Sequence, residues 1–427
     1  MDISLPAIFV ASRHLLRHFH EKFYRHGYRL TCMPAVKRTA KLTSVEAALE
    51  AFLAHVPPVT RTYRAELDFI DNRVLSKDVI APQDYPHYDR AYKDGYAVRA
   101  ADTAESGALL QPAAEGAVGP GQCRWVHTGS ALPPGADAVV PVEDTAAEAG
   151  GVRILVASQA GDNFTPRGSS IRQGDLVFPA GFQLKPTNIA LLATLGLSSV
   201  EVYEKPRVLV VPTGDELVAR GQKAGPGTIN ESNGLMCQLL VRRYGGKPSV
   251  WDIVPDDRAK LTEAIVTGLD YDLIVTTGGT SVGTRDLMPE LVAAMGQVVV
   301  HGVGIRPGRP VGMGFVEEGG KRTPVVFLPG FPDACAVGAM LFVERAVRKL
   351  GRYPPMRYAG DSAVLTAGAS GQKAARSIVK VRVRDGVATP VGTVAPATGE
   401  GEYAYLIVPE GNDSLRDGQR VDVRFLE

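Results

Sequence analysis

The pattern of apolar and polar positions divides the chain into stretches of different texture. "LTSVEAALEAFL" carries Val45, Leu49, Phe52 and Leu53 on one helical face, and Thr43 with Glu46 reads as a capping box at its start. From Val79 to about Val156 the apolar pieces shorten and are punctuated by Gly and Pro, as in "AEGAVGPG" and "ALPPGADAVVPVED", which predicts a small β insert. A helix follows at Thr187 to Gly196, so residues 39–204 are expected to form an α-rich frame around an insert at about 80–162. From Pro206 near-continuous apolar strands alternate with helices ("RVLVVPTGDEL", "SNGLMCQLLVRRYGG", "YDLIVTTGG", "TPVVFLPG", "DACAVGAMLFVERAVRKLG"). That alternation predicts an α/β domain at 205–352 with a mostly parallel sheet covered on both faces. The last stretch, 353–427, shows period-two runs such as Val379, Val381 and Val383 before an Asp385-Gly386 turn, the mark of a small β-barrel-like domain.

Ligands in open α/β sheets sit beyond the carboxyl ends of the strands. Three such ends here are "PTGDE", "TTGGTSVGTRD" and "LPGFP", all polar and glycine-bearing. Glycines let backbone N–H groups approach an anion. The "TTGGTSVG" stretch has neither the Walker lysine nor GxGxxG spacing, so by itself it also fits a tight turn. Asp215 and Glu216 at the end of "PTGDE" suit a hard cation such as magnesium, or a solvated helix start. In "GIRPGRP", Arg306 and Arg309 flank a Pro-Gly turn, where two guanidinium forks would hold an oxyanion unless both are simply solvated. Asp94 in "AYKDGYAV" is either a turn former or a catalytic acid.

Composition narrows the classes. Of 427 residues 45% are hydrophobic and 22% charged, and 47 basic against 46 acidic side chains leave a formal charge of +1. Bulk electrostatics therefore points to no nucleic-acid or membrane partner. Cys32, Cys123, Cys237 and Cys335 are far apart, with no CxxC pair, which argues against a zinc knuckle or a disulfide framework and favours a reducing cytoplasm. No apolar run approaches the roughly 18 residues of a membrane span. Residues 1–38 form an extension of unassigned role. Leu16, Phe19 and Phe23 there fall at helical spacing between basic residues, and His14 and His18 stand at i, i+4 without an acid or Cys partner, a poor metal pair.

Seven motifs in order, "RAYKDGYAV", "HTGSALPPGADAVVPVEDT", "PTGDELV", "INESNGLM", "TTGGTSVGTRD", "GIRPGRP" and "LPGFPDA", resemble the molybdopterin molybdenumtransferase family, the bacterial MoeA type related to the C-terminal part of gephyrin. The resemblance runs from about Lys41 to the end, strongly to Leu350. It implies insertion of molybdate into adenylylated molybdopterin with magnesium and release of AMP, in a cytoplasmic homodimer whose active site lies between the insert of one subunit and the α/β domain of the other. Molybdopterin adenylyltransferase and molybdoenzyme delivery proteins would be partners.

By that resemblance Asp94, Glu216, Arg306 and Arg309 would be catalytic. Asp215, Glu216 and Asp286 would hold the metal. Ser232, Thr277, Gly278, Gly279, Thr280, Ser281, Gly283, Pro329, Gly330 and Arg376 would bind pterin and nucleotide. The chain departs from the family at Lys93, where Met is usual, and at Ser169 and Ser170, where two acids are expected. The paired lysines of "KPGKP" have become Arg306 and Arg309. A tungstate-inserting enzyme, a non-catalytic cofactor carrier and a gephyrin-like scaffold are the alternative readings. A nucleotide pyrophosphatase or deamidase built on the central domain alone would not need the N-terminal insert.

Overall fold

The structure, a computed structural model, describes residues 42–279, 287–372, 375–391, 400–412 and 414–425. Two compact units emerge. One comprises residues 58–205 and 351–353; the other comprises the remaining described residues, within 42–57, 206–350 and 354–425.

In the second unit a six-stranded sheet carries, in spatial order, Lys247–Val250, Arg207–Pro212, Leu273–Thr277, Lys321–Leu328, Gly312–Glu318 and Gly296–His301. The first four run parallel, and Gly312–Glu318 is antiparallel to both of its neighbours, Lys321–Leu328 and Gly296–His301, so the sheet is mixed at one edge. Every residue of Leu273–Thr277 is buried, as expected of a strand covered on both faces. Helices Arg258–Gly268 and Leu287–Met295 pack on one face through Leu261, Ile265, Leu291 and Val292, against Leu209, Ile274 and Phe327. Asp257 caps the first of these, its side chain accepting from the Lys260 N–H. Helix Asn233–Arg243 packs on Arg207–Pro212 and on Pro332–Gly338, which continues through a π-helical turn at Ala339–Val343 into Glu344–Leu350.

The C-terminal region closes into a five-stranded barrel. Arg376–Arg384, Val387–Pro390, Gly360–Leu365, Arg420–Phe425 and Glu402–Val408 pair in turn, and the last returns to the first. Closure leaves no open edge within this ring. The expected Asp385-Gly386 hairpin is present, with φ of 49° and 75°, the signs a type I′ turn requires.

The helix at Val45–Leu53 starts one residue later than expected. Ser44, not Thr43, is its cap, accepting from the Ala47 N–H at 3.3 Å. Thr43 is occupied instead: its N–H donates to Gly302 O and its carbonyl accepts from Gly304 N.

The expectation of an α-rich frame in the N-terminal half is not met. Among the described residues of 58–205, Pro186–Thr194 is the single α-helix, and the rest is strand, turn and 3₁₀. A six-stranded sheet dominates, ordered Ala138–Pro141, Gly95–Val98, Gln122–Val126, Leu109–Pro112, Gly151–Ile154 and Thr145–Glu148. The segments flanking it, Thr62–Glu66 and Ser199–Tyr203, pair antiparallel and pack with that helix around Ile70, Leu75, Leu184 and Leu192. Within 39–204 the two expected helices, Val45–Leu53 and Pro186–Thr194, are both present, but strands outnumber them. The polar, Gly- and Pro-punctuated sequence between them cannot supply the continuous apolar stripes that further helices would need.

Candidate functional site

Pro212, Thr277 and Leu328 are successive register partners across the parallel strands, so the three polar ends finish on one line. Hydrogen bonds tie the loops beyond them together. Thr213 N donates to Thr277 O at 2.8 Å and Gly278 N to Leu328 O at 2.9 Å. Gly278 has φ of 94°, and a Cβ there would lie 2.2 Å from Thr213 O, so only glycine permits this approach. A Cβ on Gly330 would stand 3.8 Å from the Gly278 Cα. Thr277, Gly278, Gly279, Pro329 and Gly330 are thereby gathered in one place. Thr280, Ser281, Gly283 and Asp286 lie outside the described residues.

The helix Asn233–Arg243 begins beside these loops. Ser232 stands at its cap position without using its side chain as a cap. Asn233 Nδ2 donates to Gly330 O at 2.7 Å, while its Oδ1 is buried with no partner among the described residues. Glu231, 5% exposed, accepts from Gly234 N and has Arg220 Nε at 4.0 Å. Neither Glu231 nor Asn233 was singled out from the sequence, although both lie in the "INESNGLM" motif. Phe331 was missed too. It stands 82% exposed at the end of the "LPGFP" loop, and its only sequence signal is an aromatic ring placed between turn residues.

Asp215 and Glu216 follow Gly214. Asp215 Oδ1 accepts from Asp256 N at 3.0 Å. The Glu216 carboxylate folds back over Gly214, where a Cβ would lie 2.6 Å from Oε2. No group of three or more His, Cys, Asp or Glu side chains placed to hold a metal ion occurs among the described residues. Two hard carboxylates at one strand end still fit magnesium, which commonly takes one or two carboxylates and fills its shell with water and phosphate oxygens.

Arg306 and Arg309 are both exposed, and neither has an ion-pair partner among the described residues. Their turn is anchored from the barrel: Ile305 and Arg306 pair parallel with Arg376 and Ser377, and Arg376 N donates to Gly304 O at 2.9 Å. The Arg376 guanidinium itself is directed elsewhere, to Glu46 Oε1 at 2.8 Å.

In the 58–205 unit, three segments meet around the pairing of Arg90–Ala91 with Phe164–Thr165. Ala91 N donates to Ser130 O and Gly129 N to Ala91 O, each at 2.9 Å, while Ser170 N reaches Tyr85 O at 3.2 Å. His127 to Ser130 make a turn, closed by Ser130 N on His127 O and carrying Gly129 at φ 89°. Asp94, at the start of Gly95–Val98, accepts on Oδ1 from Thr128 N at 2.6 Å and Thr128 Oγ1 at 2.9 Å. These bonds, the backbone one first, hold its carboxyl below the usual carboxylate range. Asp84 is lowered likewise, by the Gln173 N–H and then by Arg167, whose Nε is 2.7 Å away. Ser169 and Ser170 are exposed on the loop between Arg167 and Gln173. Arg90 and Lys93 precede Asp94 in the chain, and His127 Nδ1 stands 4.0 Å from Asp94 Oδ1, so this carboxylate has basic neighbours.

Cys237 and Cys335 are buried with their sulfurs 3.8 Å apart, in contact and not bonded; Cys123 is also a buried free thiol, and burial pushes it up to about 11. Cys32 lies outside the described residues. No described helix is long and apolar enough to cross a membrane.

Two family models match the chain: "MoeA N-terminal region (domain I and II)" over residues 43–196 and "Probable molybdopterin binding domain" over 209–349. The chain is 32% identical over 336 residues to the molybdopterin molybdenumtransferase of a Nostoc species, covering 75% of each chain. It is 30% identical over 318 residues to that of Haemophilus influenzae, covering 72% of this chain and 78% of the relative. The solved MoeA molybdopterin biosynthesis protein of Pyrococcus horikoshii superimposes with a TM-score of 0.75 at 28% identity, covering 91% of this chain and all of that one. With both matched regions carrying the strand-end loops and the Asp94 surface, the chain belongs to the MoeA family of molybdopterin molybdenumtransferases.

Proposed function

We propose that the protein inserts molybdate into adenylylated molybdopterin and releases AMP as the mature cofactor forms. The observation that carries this reading is the convergence of "PTGDE", "TTGG" and "LPGFP" on one line of strand ends, with an arginine turn in the same unit that has no ion-pair partner among the described residues. Backbone N–H groups of the glycine loops would hold the nucleotide phosphates. Asp215 and Glu216, with Asp286, would hold magnesium, which when bound neutralises the diphosphate as it breaks. Arg306 and Arg309 would orient the tetrahedral dianion and offset charge that builds on the leaving phosphate. Asp94 would act as an acid or as an orienting carboxylate. The protein would work in the cytoplasm as a homodimer, with the Asp94 surface of one subunit facing the strand-end loops of the other, and would receive substrate from molybdopterin adenylyltransferase.

The deciding measurement is AMP release from adenylylated molybdopterin under anaerobic conditions, with molybdate and with tungstate in turn. Tight cofactor binding without AMP release would instead make this chain a carrier, a reading that the two serines at 169 and 170 favour. Mixing Asp94→Ala and Glu216→Gln subunits tests the shared site: random reassociation should restore about a quarter of the sites if each is built from two subunits, and none if each is built from one.

A further inference from the structure

Next to Asp94 the 58–205 unit carries a short relay of contacts that the functional reading does not use. Trp125 lies on Gln122–Val126 opposite Tyr96 on Gly95–Val98, and the two rings meet edge-on with centroids 5.2 Å apart at 81°. Two residues on, on the same side by strand periodicity, is His127. Its ring is edge-on to the Trp125 indole at 80°, and Trp125 Nε1 is 3.2 Å from His127 Nε2. An indole N–H donates and never accepts, so Nε2 must present its lone pair. The proton of the neutral imidazole is then on Nδ1. That nitrogen is 4.0 Å from Asp94 Oδ1, the same oxygen that accepts both bonds from Thr128. Asp94 Oδ2 has no partner among the described residues.

We propose that Trp125 and His127 are positioning residues for Asp94: by fixing the imidazole tautomer, Trp125 turns an N–H, not a lone pair, toward Oδ1, and Oδ2 is left as the working oxygen. The proposal rests on Asp94 acting in molybdate insertion. The other tautomer would set a lone pair against the carboxylate and favour its rotation away from Thr128. At 4.0 Å the His127–Asp94 contact orients by electrostatics and is too long for a hydrogen bond; such contacts commonly shorten when substrate is bound.

The test is a long-range proton–nitrogen NMR correlation on full-length protein labelled with 15N-histidine, with the His127 signals assigned by their loss in His127→Gln. The wild type should show the Nδ1–H form. Trp125→Phe keeps the ring and loses the donor, and it should shift His127 toward the Nε2–H form that free imidazole favours. In turnover, Trp125→Phe should lower kcat about tenfold, the scale of outer-shell partners, with KM for adenylylated molybdopterin unchanged. His127→Asn, whose amide donates from near the Nδ1 position, should recover most of kcat, whereas His127→Gln should not. A wild-type Nε2–H form, or a Trp125→Phe protein with unaltered tautomer and kcat, overturns the proposal. If Asp94→Ala itself keeps full activity, the assignment of Asp94 fails; if Asp94→Ala is inactive and Trp125→Phe is not impaired, the relay alone fails.

Discussion

Arg376 Nη2 and Glu46 Oε1 stand 2.8 Å apart, joining the first strand of the C-terminal barrel to the helix that opens the described chain. Glu46 lies in the first turn of that helix, and its own N–H, then Arg376, hold its carboxyl below the ordinary value of 4.5. A carboxylate lowered in the folded state contributes stability above its unfolded pKa and loses it as pH falls through the folded one. Because both side chains are substantially exposed, Arg376→Ala should cost only about 0.2–1 kcal/mol at neutral pH. Denaturant unfolding of both proteins across the acid range checks this. The gap should close as pH drops below 4.5, and a gap that persists there would assign the loss to packing.

Glu216→Gln preserves shape and removes charge at the proposed magnesium position. Turnover should fall by orders of magnitude with little change in melting temperature, since losing one charged oxygen ligand weakens a hard-cation site. The variant should also need more magnesium for half-maximal rate. Near-wild-type AMP release at limiting magnesium would count against the assignment.

Arg309→Ala should weaken oxyanion affinity by about 1.5–3 kcal/mol, the range for a hydrogen bond to a charged group. Arg309→Lys should recover part of that, because it restores the charge and not the planar fork. Titration with molybdate and with nucleotide separates the two ligands, and unchanged affinities for both would leave this a solvated turn.

Ser170→Asp returns a carboxylate to the loop whose backbone reaches Tyr85. If the chain is a transferase working with fewer acids, activity should rise or the magnesium requirement fall. If it has become a carrier, the added charge should repel the dianion and depress its binding. No effect on either would put this loop outside the active site.

Gly278→Ala should destabilise the protein by roughly 1–3 kcal/mol, the cost of a strained backbone conformation, and more if Thr213 cannot shift. Gly107, at a similar φ of 95° with open space around it, provides the comparison. Gly107→Ala carries the backbone term without the clash, so thermal unfolding of the pair isolates the contact with Thr213.

The central sheet and the barrel were legible because their strands declare themselves locally. Leu273–Thr277 is an unbroken apolar run ending in Gly-Gly, and Val379, Val381 and Val383 alternate up to an Asp-Gly turn that the structure contains. The line of three strand ends followed from the same pattern, since parallel strands of similar length finish together. What escaped the sequence depended on partners distant in the chain. Thr43 looked like a cap until its backbone was engaged by Gly302 and Gly304, which left the role to Ser44. Arg376 looked like a ligand contact, and its ion pair with Glu46 joins positions 330 residues apart. Asn233 and Glu231 are functional candidates only once Gly330 and Arg220 are seen beside them. The two helices of the frame were legible, and the ribbon of Thr62–Glu66 with Ser199–Tyr203 was not, because two short strands far apart in the chain carry too few apolar residues for their period to stand out.

The Gly304–Pro310 turn is held from two directions. Its near end is paired to the barrel through Ile305 and Arg306, and beyond the arginines Val303 N bonds Arg309 O while Gly302 N bonds Val311 O at the head of the sheet strand Gly312–Glu318. An anion gripped by both guanidinium groups would therefore load two structural layers at once. By thermodynamic reciprocity, whatever the bound dianion gains from that bracing it returns as cohesion between barrel and sheet, making oxyanion occupancy a strut of the fold as well as a step in the chemistry.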